Sequence, residues 1–304
     1  MAAILVSGLI NIETTLRVDQ FPIPYLPVRY SFNQIDATVS GVGYNIAKAL
    51  TVLGNEVEFF SIIGEDPFGD WVKAELKKDG IPDEFIVSIT RDTARSVILY
   101  DRDGNRQINL DLKEIQQLEY PLGLFDEAIK QCKLVALCNI NFSRPMLERA
   151  HDAGKIIATD VHTINDINDQ YNRDFMEMAD ILFMSDEVLP QDPVSWAEQI
   201  SSTYGTEIVV IGLGREGALM SVKSDQCVKR FPAVNVRPVV NTIGAGDALF
   251  SAFLHSYLES QDPYEAIRKA ILFASYKIGE KGAAEGFLST EMLDRLYSND
   301  EIWT

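Results

Sequence analysis

Cysteine is scarce in this chain: Cys132, Cys138 and Cys227 are the only three among 304 residues, with no close pair. An odd number at such spacings provides neither a disulfide framework nor a zinc-binding CxxC set, and it fits a reducing compartment. Histidine is as sparse, and His151, His162 and His255 show no metal-ligand spacing. No apolar run reaches the length that spans a bilayer. Basic charge is short: 27 Lys and Arg face 45 Asp and Glu, a formal net charge of −18. That balance argues against a nucleic-acid or anionic-membrane surface, since both rest on clustered cations that release counterions. An anionic ligand must then be held by local devices: backbone amides, a helix N-terminus or a bound cation. The opening MAAILVSGLINIETT has no basic leader region and reads as a first strand, so the expected location is cytoplasmic. The P-loop pattern GxxxxGK[ST] is missing too, which argues against a Walker-type NTPase.

What is present is ordinary globular composition, 46% hydrophobic and 24% charged, in a length that suits one large α/β domain over residues 1–304. Apolar, β-rich runs at 2–8, 56–63, 133–140, 155–160, 179–185 and 207–213 alternate with helical patterns at 43–54, 67–80, 122–131, 144–153, 170–178 and 193–204. This alternation predicts βαβ units around a mostly parallel sheet, whose ligands bind at the carboxyl ends of the strands. Two segments break the rhythm. Residues 14–40 are proline-rich (FPIPYLPV), and 93–112 read as a hairpin turning at Asp103-Gly104. Together they predict a small sheet standing off the main domain as a lid, its proline-rich edge suited to strands that take no further partners.

One stretch concentrates the chemistry: NTIGAGDALF, residues 241–250. From Asp247 on, Leu249, Phe250, Phe253, Leu254, Tyr257 and Leu258 share one helical face, so a core-facing helix starts near Gly246. A glycine-rich turn entering a helix aims free N–H groups at one spot, a ready anion site, with Asp247 at its rim. Asp247 could also do no more than cap the helix. Upstream, SGVGYNIAKALTVLGNEVEFFSIIGEDPFGDW (40–71) holds a second glycine turn entering a helix, then a strand and a GEDPFG loop.

These two ordered motifs, about two hundred residues apart, resemble the signature regions of the ribokinase-like (PfkB) carbohydrate kinases, and the likeness runs from GLINIE to EKGAAEGF. The resemblance implies a ribokinase-like three-layer sandwich with a mostly parallel central sheet and a small β-sheet lid. It implies an ATP-dependent transfer of phosphate to a hydroxymethyl group of a small sugar, with ATP and Mg2+ as cofactors and K+ as an open requirement. It casts Asp247 as the base, and the amides of Gly244, Ala245 and Gly246 as the anion hole. On the substrate side it points to Asn11, Glu13, Gly41, Gly43 and Asn45; Glu13 stands where many members carry aspartate, and Val42 where ribokinases carry lysine. On the nucleotide side it points to Ser185, Gly214, Gly217, Thr242 and Ser275, with Gly282-Ala283 in the adenine and monovalent-cation regions. The family's NxxE would fall at Ser185 and Val188, which do not match, leaving Asp186 and Glu187 as nearby acids, and Asn241 replaces an aspartate. No residue set is assigned to a metal. GVGYNIA and CNI (138–140) look closer to the pseudouridine-kinase branch, so a pseudouridine- or adenosine-type nucleoside kinase is an alternative. A non-catalytic sugar-binding or regulatory protein is another. The lid edges suggest a homodimer.

GLGREG (212–217) matches the dinucleotide pattern GxGxxG, but ALMSVKSD after it alternates as a strand instead of opening a helix. His162, just past the strand that ends at Asp160, could face the cleft. Arg106 in the hairpin could touch a ligand or solvate an edge strand, the second being the favoured reading.

Overall fold

The computed structural model describes residues 3–102, 105–299 and 302. The chain runs through β1 (Ala3–Ser7), β2 (Asn11–Arg17), β3 (Ile35–Ser40), α1 (Val42–Val52), β4 (Val57–Gly64), α2 (Pro67–Lys78), β5 (Ile86–Thr90), β6 (Arg95–Tyr100) and β7 (Arg106–Asp111). It continues with α3 (Leu122–Ala128), β8 (Cys132–Leu137), α4 (Arg144–Asp152), β9 (Ile156–Thr163), α5 (Arg173–Met178), β10 (Ile181–Ser185), α6 (Pro193–Tyr204) and β11 (Ile208–Gly212). β12 (Ala218–Val222), β13 (Cys227–Phe231), α7 (Ala245–Ser260), α8 (Pro263–Lys277) and α9 (Thr290–Tyr297) complete it.

Nine strands form one sheet in the order β13-β12-β11-β10-β9-β8-β1-β4-β5, parallel from β11 to β5, with β12 and β13 antiparallel at one edge. The sequence explains why both faces are covered. Ile4 and Val6 of β1 enter the core beneath α1, α7 and α8, while Leu5 between them enters the core beneath α3–α6; Phe59 and Phe60 of β4 divide the same way. Each such fully buried side chain contributes about 1.5–3 kcal/mol. Strands of five residues therefore suffice. The helix-free reading of ALMSVKSD holds, since 218–222 are β12, buried along its whole length.

Three helices start at Asp-Pro steps, where the aspartate caps the free amides and the proline needs no N–H: Asp66 for α2, Asp192 for α6 and Asp262 for α8. The helix expected from 170 starts only at Arg173, because Asp169 Oδ1 takes the amides of Tyr171 and Asn172 (3.1 and 2.8 Å) in a turn that competes with helix.

A separate four-stranded sheet, β3-β2-β6-β7, stands off the main one, antiparallel except where β2 meets β6. Asp103-Gly104, the expected turn, lies outside the described residues; β6 and β7 on either side of it pair from Tyr100↔Arg106 to Arg95↔Asp111. Tyr25, Leu26, Val28, Tyr30 and Phe32, in the segment joining β2 to β3, are all exposed.

Candidate active site

α1 and α7 point at the site, and unlike the Asp-Pro helices they begin at glycines, Gly41 and Gly244, with no side-chain cap. Gly244 is required twice over: its φ is +76°, and a Cβ there would come 2.5 Å from the Ala283 carbonyl oxygen. Gly43 is required by proximity, since a Cβ would come within 2.5 Å of the Gly8 carbonyl carbon, so α1 rests directly on the end of β1. The amide of Ala245 is already spent on the Thr242 carbonyl (3.1 Å). Helix geometry leaves the first-turn amides of Gly246 and Asp247 without intrahelical acceptors. Of the three amides expected to face an anion, Ala245's is therefore engaged within the turn.

Asp247 is not a cap. It is buried, and its Oδ2 accepts a hydrogen bond from Asn45 Nδ2 at 2.7 Å, joining α7 to α1 across 202 residues of sequence. Burial pushes its carboxyl above the ordinary range; the Asn45 bond and the positive charges of His162 and Lys277 oppose that rise, while Asp160 adds to it. Beside it, Ser40 Oγ donates to Glu13 Oε2 (3.1 Å) and lies 3.4 Å from Asn45 Oδ1. Glu13 is buried too, and its carboxyl is raised by burial, with Ser40 opposing. Asn11 Nδ2 donates to Ser96 Oγ (3.1 Å), while its buried Oδ1 has no partner among the described residues. An orphaned acceptor of this kind fits a ligand hydroxyl. Asn11, Glu13, Gly41, Gly43, Asn45 and the 244–247 turn therefore converge on one locus.

Of the residues expected on the nucleotide side, Ser185, Gly214 and Gly217 lie at or just beyond strand ends, Thr242 lies before α7 and Ser275 lies within α8. Ser185 closes β10 opposite Gly212 of β11 and accepts from the Glu187 amide (3.3 Å). Gly214 opens a 3-10 turn with φ +55° and open space where a Cβ would go. Gly217 has a packing reason of its own: φ is +98° and a Cβ would come 2.1 Å from the Phe231 carbonyl oxygen. Thr242 is exposed, and Ser275 is half-buried in the last turns of α8. Arg106 pairs with Glu187 (3.2 Å), linking the small sheet to the end of β10. Asp186 is raised by partial burial.

Four residues escaped the sequence reading: Ser40, Ser96, Asp160 and Lys277. β9 runs on to Thr163, past the strand end expected at Asp160, so Asp160 and His162 both lie within it; Asp160 Oδ1 accepts from the His162 amide (2.8 Å), and a Cβ at Gly246 would lie 4.0 Å from Asp160 Oδ2, so this carboxylate faces the turn. His162, in the left-handed region at φ +60°, places Nδ1 3.9 Å from Asp160 Oδ1. Lys277 is fully buried and donates to the Ile243 carbonyl. The Asp-x-His order in DVHT was the only sequence signal available for any of them. A cavity of about 380 Å³ lined by Glu65, Ile89, Thr90 and Arg91 contains none of these groups. Convergent side chains, more than concavity, mark the site.

A carboxylate beside an uncapped, glycine-started helix at the carboxyl end of a parallel sheet is an arrangement that suits an anionic ligand and proton transfer. The chain belongs to the pfkB family of carbohydrate kinases, matched over residues 1–291. It is a carbohydrate kinase, a sugar or nucleoside kinase of the ribokinase group. It is 26% identical over 275 residues to an acarbose 7(IV)-phosphotransferase of Actinoplanes sp., covering 90% of this chain and 91% of that one. To a ribokinase of Lactococcus lactis it is 28% identical, covering 94% of each. Among solved structures, a microbiome-derived acarbose kinase superposes with a TM-score of 0.87 at 28% identity, covering 98% of this chain and 99% of the other. The Thermotoga maritima ribokinase, at 22% identity and a TM-score of 0.80 over 98% and 100% of the chains, shares the fold.

Proposed function

We propose that the protein transfers the γ-phosphoryl group of ATP to a hydroxymethyl group of a small sugar, with Asp247 as general base. The observation that carries this reading is the buried Asp247 carboxylate, held by Asn45 at 2.7 Å at the start of a helix with no side-chain cap. Asn11, Glu13, Gly41, Gly43 and Asn45 line the acceptor side, where the free Asn11 Oδ1 accepts a hydrogen bond from a substrate hydroxyl. Asp247 removes the proton of the acceptor hydroxyl as its oxygen bonds to the γ-phosphorus. The bond from that phosphorus to the bridging oxygen breaks, and ADP leaves with the electron pair. A carboxyl raised by burial is a stronger base than an ordinary aspartate, which suits proton removal from an alcohol. Negative charge on the equatorial oxygens meets the 244–247 turn, where the Gly246 and Asp247 amides are open and the Ala245 amide holds the turn through the Thr242 carbonyl.

Ser185, Gly214, Gly217, Thr242 and Ser275 would hold ATP. The donor set suits Mg2+, which is held by one or two carboxylates plus nucleotide phosphates and its own waters: Asp160 faces the turn, whereas Asn241 is committed to Lys281 and Ile243. That ion would neutralise phosphate charge. The small sheet, with segments 14–40 and 93–112, acts as a lid that excludes water. Its exposed aromatic segment, where Tyr30 and Phe32 stack at 5.9 Å, supports a homodimer through the lids. Changing both rings to aspartate should convert a dimer to a monomer by light scattering; a wild type already monomeric removes the dimer from the reading.

Asn11 and Glu13 suit the ribose of a nucleoside as well as a free sugar. The test is therefore ADP release from MgATP against ribose, fructose, 2-keto-3-deoxygluconate, acarbose, adenosine, cytidine and pseudouridine, with Asp247→Asn as control. Turnover with one acceptor, lost by at least about 100-fold in Asp247→Asn while ATP still binds, supports the mechanism. An active Asp247→Asn protein sinks it. ATP binding with no turnover on any acceptor favours a binder that has lost its chemistry.

A further inference from the structure

Lys277, in the last turn of α8, is fully buried, and the mechanism above does not use it. Burying an ammonium costs several kcal/mol unless charge and hydrogen bonds offset it. Its Nζ donates to the carbonyl of Ile243, one residue before Gly244. The groups whose charges reach it are the carboxylates of Asp247 on α7, Glu13 on β2 and Glu285 beyond α8, with the Arg237 guanidinium opposing them. The same short segment is tied to the end of α8 three more times. Val240 N and Asn241 N donate to the Ile278 carbonyl (2.8 and 3.1 Å), and Asn241 Nδ2 donates to the Lys281 carbonyl (2.9 Å). Neutral bonds thus already anchor the turn's start. The charged bond falls next to the amides that receive the phosphoryl group.

We propose that Lys277 is a positioning residue: its ammonium is a built-in monovalent cation behind the 243–247 turn, which fixes the Ile243 carbonyl and balances Asp247 and Glu13, so that turnover needs no added potassium. This rests on the kinase reading of the site. A side chain that only filled space would be replaceable by methionine, which has similar bulk and no charge. One that supplies a cation leaves, when cut back to alanine, a hole shaped for a small ammonium or potassium ion.

The experiment measures ADP release and thermal melting of wild type, Lys277→Met and Lys277→Ala in choline chloride, then in potassium, ammonium or propylammonium chloride. Wild type should give the same kcat in choline and potassium. Lys277→Met should lose about 100-fold in kcat with a much smaller change in the KM for ATP, because a misplaced turn is felt mainly in the transition state. Lys277→Ala should lose as much and recover at least about tenfold in ammonium or propylammonium. Its melting temperature should rise selectively in the same salts, and wild type's should not. A wild type that needs potassium, a Lys277→Met protein with wild-type kcat, or a Lys277→Ala protein with no cation-selective response in either readout overturns the proposal. Should wild type turn over no acceptor, the kinase reading falls, and the melting comparison still decides the role of Lys277.

Discussion

The two halves of the site are built differently. On the proposed acceptor side, Glu13, Ser40, Asn45, Asp247 and Lys277 are all buried and joined by hydrogen bonds or charge across five elements, and buried Asn11 is held by Ser96. On the nucleotide side, Thr242 and the Gly214–Glu216 turn are exposed, Ser185 is half-buried, and the Arg106–Glu187 pair is open to solvent. Buried polar groups hold one geometry because moving any of them leaves a charge or donor unpaired in a low dielectric. Exposed ones can move at little cost, and a surface ion pair contributes only about 0–1 kcal/mol. The difference teaches that the buried half, the proposed acceptor side, is preorganised, whereas the exposed half, the proposed nucleotide side, is an open shelf on which a ligand can supply part of the order.

The most severe way to break that comparison is Asp247→Asn, described above. It should also melt no lower than wild type, since burial raises the carboxyl and so penalises the charged form that asparagine removes. Asn45→Ala should cost about 10-fold to 100-fold in kcat. It would also move the acid limb of the pH profile upward, because the lost hydrogen bond favours the ionised carboxylate. The alkaline limb of wild type should fall near pH 8, the value to which burial lowers Lys277, as the ammonium loses its proton. A profile flat from pH 6 to 9 contradicts the Lys277 assignment.

On the shelf, the effects should be on stability. Gly217→Ala meets both a φ of +98° and the Phe231 carbonyl, and should destabilise by roughly 2–4 kcal/mol in urea melts. Gly214→Ala has a φ of +55° and open space, so about 1–2 kcal/mol is expected. Equal losses at the two positions would mean that the two glycines are not distinguished by packing as described.

Much of this was readable beforehand. Alternating apolar runs located the parallel strands because residues buried on both faces must be apolar on both. The NTIGAGD turn was legible because only glycine tolerates Gly244's backbone. α8 and α9 left weaker marks. Lys277 in the sequence LFASYK looks like an ordinary basic residue near a helix C-terminus, where such residues favour the dipole. Ser40 and Ser96 are small polar residues in strands, common on any solvated sheet. Asp160 sits at the end of an apolar run, where strand ends and ligand contacts look alike.

The sequence by itself determined the layered α/β fold and the family, because hydrophobic period and glycine-dependent backbone are local properties carried by neighbouring residues. It determined also that a carboxylate opens α7. Only the tertiary structure decided what that carboxylate meets: Asn45 lies 202 residues away, Glu13 comes from the small sheet, and Lys277 reaches back from α8 to Ile243. Burial and charge pairing depend on which groups share a volume of low dielectric, and no spacing along the chain encodes that.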